Sequence, residues 1–184
     1  MARLPLVDPE TAPERTQKVL AGLPPLKIFR TMAHAENSFV PLLQLGTSIL
    51  AQQQLDPKLR EYAVLQGAKY TRGEYEWVQH VPIAIQCGAT PQQMEALERD
   101  ELDAACFDEV ERLVLAFNRE AMQQNRVGDA LFAKMREHFS DREIVELLLT
   151  LGYYSMLARM TEVVQLEVDS PDAAKMIGQL KSRS

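Results

Sequence analysis

Cysteine is scarce in this chain. Only Cys87 and Cys106 occur among 184 residues, too few for a disulfide framework and in keeping with a reducing compartment. Long apolar runs are missing as well: the longest candidate, residues 147–154, is under half of the roughly 20 residues that span a bilayer. The amino terminus reads Met1-Ala2-Arg3-Leu4-Pro5-Leu6-Val7-Asp8, with a proline and an acid where a signal peptide needs an apolar core. These absences predict a cytoplasmic protein with no membrane partner. Basic excess is lacking too. Twenty Lys and Arg face 26 Asp and Glu, a net charge of -6, and the basic stretch at 181–183 is too short to form the stripe that nucleic acid requires. There is no phosphate-cradling glycine loop, no dinucleotide-binding fingerprint and no period-two run bounded by hairpin turns.

What the chain does contain is helix punctuation from end to end. Asp8-Pro9 and Thr11-Ala12-Pro13-Glu14 are rival starts for a first helix reaching about Ala21. After the break at Leu23-Pro24-Pro25, helices are predicted over 26–35 and 39–53, with Pro41 tolerated in the first turn of the second. Asp56-Pro57 opens a helix to about Tyr70, and Thr71-Arg72-Gly73 makes a turn. A helix over 74–87 stops at Gly88 in a C′ position, and Thr90-Pro91 begins a short one to about Glu98. Helices over 107–124 and 129–139 follow. Ser140 with Glu143 forms a capping box for a long helix to about Val168, and Ser170-Pro171 starts a last short helix. Short connections and 46% hydrophobic residues predict one domain, 1–184, folded as a compact antiparallel bundle.

One internal similarity suggests two related helix-pair units. Asp56-x-x-Leu59-x-Glu61 with Gly67 aligns with Asp141-x-x-Ile144-x-Glu146 with Gly152, so cap, apolar residue, acid and glycine recur at equal offsets. Chance resemblance between two amphipathic helices is the rival explanation. The first unit continues to Glu76 and His80, where the second offers Thr161 and Gln165.

The helix over 74–87 holds the densest chemistry. At about 100° per residue, Glu76, His80, Ile83 and Cys87 share one stripe, while Tyr75, Trp77, Val78, Val81, Ala84 and Ile85 make the rest largely apolar. Such a helix is buried, and a buried carboxylate and imidazole one turn apart need a reason. The structural reading is an i,i+4 pair, worth a few tenths of a kcal/mol on a surface. The functional reading is an acid-base pair beside a pocket, with histidine titrating near neutrality. His34 and His138 lack carboxylates or cysteines at metal-ligand spacing, so no metal is expected. Met156, Leu157 and Met160 form an apolar seam read as core or subunit contact.

Arg60-Glu61 after Leu55-Asp56, then Tyr75-Glu76-Trp77-x-x-His80, then Gly88 before Thr90-Pro91, resembles the carboxymuconolactone decarboxylase and alkylhydroperoxidase D-like family. The matching core covers 55–97, with a second helical unit at 140–168. In the peroxidase branch of that family a glutamate, a Cys-x-x-Cys pair and a histidine form a relay. Glu61 and His80 stand at the glutamate and histidine positions, but Gly73 and Glu76 occupy the cysteine positions, which excludes disulfide cycling there. The decarboxylase branch looks like Glu-x-x-x-His, which Glu76 and His80 match.

The resemblance implies a lyase that uses no metal or organic cofactor. It would carry out decarboxylation or proton transfer on a small unsaturated carboxylated or lactone compound. His80 would be the proton donor or shuttle, Glu76 its orienting partner and Glu61 a second carboxyl, with Trp77 and Cys87 placed against the substrate. Two alternatives stand beside it: a peroxidase-like activity of His80 and Cys87, and a non-catalytic protein that binds a small molecule. The resemblance also implies a homo-oligomer, a dimer, trimer or hexamer.

Overall fold

The computed structural model describes residues 2–170. Among them are nine helices and no strand: α1 (Glu14–Ala21), α2 (Lys27–Met32), α3 (Glu36–Ala51), α4 (Pro57–Thr71), α5 (Glu74–Gln86), α6 (Pro91–Arg99), α7 (Glu109–Gln124), α8 (Asp129–His138) and α9 (Asp141–Val164). The bundle is all-α, and local chemistry sets most of its boundaries. The Asp56 carboxylate accepts from the N–H groups of Lys58 and Leu59 at 2.8 and 3.2 Å, with Pro57 in the first turn. Thr90 with Gln93, Asp108 with Glu111, and Ser140 with Glu143 form reciprocal capping boxes. Gly88, at φ 99°, ends α5 in a Schellman motif: Ala89 N–H donates to Ala84 and Gly88 N–H to Ile85.

Several boundaries differ from the sequence expectation. The Thr11 capping box does not form, because Asp8 turns the chain by accepting from Glu10, Thr11 and Ala12, and α1 starts only after Pro13. Helix α3 begins at Glu36, which moves Pro41 out of the first turn. Its missing N–H leaves the Asn37 carbonyl without a helical partner, and exposed Asn37 meets solvent there. Helix α9 stops at Val164, where Gln165 adopts the left-handed conformation at φ 54°, four residues short of the expected end. The helix expected from Ser170-Pro171 lies outside the described residues. In the two-unit comparison Asp56 caps α4, whereas Asp141 is already the first residue of α9 and Ser140 is the cap.

Helix α4 runs through the centre, buried at every position from 59 to 68, and packs against α5, α7 and α9. An apolar cluster on one side joins Leu59, Tyr62 and Leu65 to Leu97, Phe107, Phe117 and Leu147. A second joins Val64 and Tyr75 to Leu26, Met32, Phe39, Tyr154 and Leu157, drawn from α2, α3 and α9. The expected seam on α9 splits: Leu157 is buried in this second cluster, Met160 packs on its edge and Met156 is exposed. The segment after α9 ties the second cluster down. Asp169 accepts from Lys27 N–H at the start of α2 and from the Tyr75 hydroxyl. This second cluster is where the site forms.

Candidate active site

Helix α5 turns Tyr75, Glu76, Gln79, His80 and Ile83 inward. The preceding helix supplies the partner of the histidine. His80 Nδ1 lies 2.8 Å from Glu61 Oε2, while Glu61 Oε1 accepts from Arg60 Nε at 3.1 Å and Nη2 at 2.9 Å. Arg60 Nη1 also donates to the Leu50 carbonyl at 3.1 Å. All three side chains are buried. An ionised carboxylate can only accept, so Glu61, held beside the guanidinium, places the imidazole proton on Nδ1 and leaves Nε2 as the lone-pair nitrogen. The Tyr154 ring meets the imidazole edge-on, with centroids 4.7 Å apart and planes at 81°. The orientation of His80 is thus fixed from two sides.

This corrects the role expected for Glu76. The i,i+4 spacing singles out Glu76 as the orienting partner, but its carboxylate accepts instead from Thr161 Oγ1, at 3.0 and 3.3 Å. Thr161 is the residue that the two-unit comparison sets opposite Glu76. Burial pushes the Glu76 carboxyl up from 4.5, and the hydrogen bonds from its own N–H and Thr161, with the nearby His80, offset this only in part. Glu76 is therefore biased toward its neutral acid form. Burial likewise holds the Tyr154 hydroxyl well above its ordinary 10.0, so Tyr154 is a phenol and a donor.

Glu76, Gln79, His80 and Tyr154 line one cavity of about 140 Å³, closed on its other sides by Leu26, Phe29, Met32, Leu50 and Leu157. Exposed Thr47 lies on its rim, so the cavity reaches the surface. Glu61 stands behind His80 and does not line it. Sequence reasoning missed Gln79, whose amide nitrogen and oxygen are both buried without a hydrogen-bond partner. That arrangement costs about 1–3 kcal/mol. The available signal was its position three residues after Glu76, on the same helix face. The contributions of α2 and α3 were not readable from the α5 motif.

Trp77 and Cys87 are not in this cavity. Trp77 is half-buried, packed against the first cluster beside a groove that includes Arg72 and Glu98, and Cys87 is the half-buried C-cap of α5. Cys87 lies just beyond α5, which ends at Gln86, and Trp77 packs toward the first apolar cluster rather than the second. His34 is exposed and donates from Nε2 to the Pro5 carbonyl at 2.8 Å, and His138 closes the last turn of α8. No three His, Cys, Asp or Glu side chains cluster as a metal site among the described residues.

Another buried acid, Glu111, has a structural environment. It accepts from Tyr62, Gln93 and the Asp108 N–H and pairs with Lys58 at 2.6 Å. A larger open groove of about 1040 Å³, bordered by Phe117, Leu148 and Met156, has no acid, histidine or cysteine on its wall. The chemistry sits in the smaller cavity.

Gly73 bears on which chemistry is open to it. A Cβ built at Gly73 would lie 2.7 Å from the Ala158 Cβ and 2.8 Å from Glu76 Oε2. A cysteine at this position, where the peroxidase branch carries one, would require the backbone or α9 to move.

Residues 41–119 match the model of the carboxymuconolactone decarboxylase family. Over this stretch, less than half of the chain, the sequence is similar to the carboxymuconolactone decarboxylase family. The matched residues run from α3 to α7 and include both helices that hold Glu61 and His80. No curated protein matches the sequence. Among solved structures, an uncharacterized peroxidase-related protein from Silicibacter sp. TM1040 has a TM-score of 0.79 at 19% identity over 92% of each chain. A protein with an alkylhydroperoxidase AhpD core from Ralstonia eutropha JMP134 has a TM-score of 0.80 at 18% identity, over 92% of this chain and 93% of that one. The debrominase Bmp8 in complex with 2,3,4-tribromopyrrole has a TM-score of 0.73 at 16% identity, over 96% of this chain and 99% of its own. At these identities the likeness shows the shared fold.

Proposed function

We propose that this protein is an acid-base enzyme that moves a proton within a small unsaturated carbonyl compound bound in the α5 cavity. The observation that carries the reading is the Glu61–His80 contact at 2.8 Å, with His80 on the cavity wall. Glu61 holds the Nδ1 proton, and His80 Nε2 takes a proton from the substrate and returns it at another carbon. Glu76, biased toward the neutral acid, and the Tyr154 phenol supply hydrogen bonds to the oxygen on which charge develops. Apolar residues of α2, α3 and α9 keep water from the transferred proton.

Proton transfer is favoured over decarboxylation. Loss of carbon dioxide starts from a carboxylate anion, and the cavity wall has no Lys or Arg among the described residues. A thiol-based peroxidase reading finds less support, since neither Cys87 nor Cys106 lines the cavity. Bmp8 shows that a protein of this fold accepts a compact ring, which suits a cavity of this size.

The test is deuterium uptake from D2O into small enones and unsaturated lactones, followed by NMR. Wild-type protein should give saturable exchange, and His80→Asn should lower its rate by about 10²–10⁴-fold with the fold retained. Equal rates in the two proteins would overturn the reading.

A further inference from the structure

We propose that Gln79 is the specificity-determining residue of the cavity and selects a neutral, compact ring whose edge carries a hydrogen-bond donor beside an acceptor, as a lactam does. This rests on the acid-base reading of the same cavity and adds the class of molecule that enters it. Gln79 is 2% exposed, and neither its Nε2 nor its Oε1 has a partner. Around it, several of the other polar groups already have partners within the protein. Glu76 is bonded to Thr161, Tyr75 to Asp169, Tyr153 to the Leu42 carbonyl and His80 Nδ1 to Glu61. A primary amide left wholly unpaired on a cavity wall presents one N–H and one C=O on a single planar edge. The group that satisfies both at once offers the reverse pattern, acceptor against the N–H and donor against the oxygen.

Charge and size narrow the class further. No Lys or Arg lines the cavity among the described residues, and Glu76 lies one helical turn from Gln79. An anion entering here would exchange water for an apolar wall and a carboxyl group, with no cation left free to receive it. A cavity of about 140 Å³ is close to the roughly 150 Å³ apolar cavity that holds benzene in another protein. The ligand is therefore about the size of one six-membered ring with small substituents. Gln79 reads its polar edge, and the leucine, phenylalanine and methionine side chains opposite pack on its faces.

Calorimetric titration of the full chain with three probes of similar size tests this: 2-pyridone, a neutral lactam; benzoate, ionised at about pH 8; and benzene, which has no polar edge. Wild-type protein should bind 2-pyridone most tightly. Gln79→Leu should weaken 2-pyridone by about tenfold or more, through loss of two hydrogen bonds, and leave benzene binding equal or tighter. Benzoate binding as tightly as 2-pyridone, failure of 2-pyridone to bind, or unchanged 2-pyridone affinity in Gln79→Leu would each overturn the proposal. Should Gln79→Leu not fold, the side-chain amide signals of Gln79 in wild-type protein decide. They should move on adding 2-pyridone but not benzoate, and signals that stay in place would overturn it. His80→Asn separates this inference from the catalytic reading, because it should lose proton exchange yet keep 2-pyridone binding.

Discussion

At the scale of single residues, three buried acids in one bundle have different tasks because their neighbours differ. Glu61 is tied to a guanidinium and an imidazole, Glu76 to a hydroxyl, and Glu111 to Lys58 and several donors. Removing Arg60 would leave Glu61 buried without its main countercharge, so Arg60→Met should lower stability by about 3–5 kcal/mol in denaturant titration. Glu61→Gln keeps the shape but not the acceptor-only character, and should lower the exchange rate by about 10–100-fold. Combined with His80→Asn it should add little, because the two residues act as a unit.

Glu76 gives a pH-dependent prediction. Its folded pKa is raised above 4.5, so between the unfolded and folded values the native state binds more protons than the unfolded one. Stability from this group is full below about 4.5 and is lost as pH rises. Glu76→Gln, which cannot ionise, should therefore gain stability relative to wild type as pH climbs from about 4.5 to about 8. Urea midpoints at the two ends measure it, and a difference that shrinks with pH would contradict the assignment.

At the scale of elements, the ends of α5 matter most, since its register sets where His80 points. Gly88 holds a left-handed turn, and Gly88→Ala should cost about 1 kcal/mol in thermal or urea unfolding. At the other end, Gly73→Cys should destabilise by about 1–3 kcal/mol through its contact with Ala158. Helix α9 is apolar on nearly every side. One face packs on α4 and α5, and Val145, Leu149 and Val163 are turned to solvent on another. The homo-oligomer implied by the family resemblance is expected to cover that face. Sedimentation should then show a smaller species for Leu149→Glu than for wild type, and identical species would remove α9 from any interface.

At the scale of the whole molecule, what could be read from the sequence was whatever local chemistry decides. Asp56-Pro57, Thr90-Pro91, Ser140 with Glu143 and Gly88 marked their helix ends correctly, because caps and left-handed turns depend on a few adjacent residues. The end of α9 was harder to see, because there Gln165 takes the left-handed conformation that glycine usually supplies. Long-range pairing escaped the sequence for a related reason. Spacing makes Glu76 the obvious partner of His80, whereas the true partner lies 19 residues away on α4 and is found only once two helices are packed. Gln79 was hidden because an isolated glutamine carries no motif, and its unpaired amide becomes visible only when the cavity exists.

The pairing of Glu61 with His80 can be read directly from the imidazole nitrogens by ¹⁵N NMR. Wild-type His80 should be protonated at Nδ1 and bare at Nε2 when neutral. Glu61→Gln should shift the Nδ1 proton strongly, and Glu76→Gln should leave it nearly in place. A proton on Nε2, or a signal that follows Glu76 rather than Glu61, would contradict the site as described.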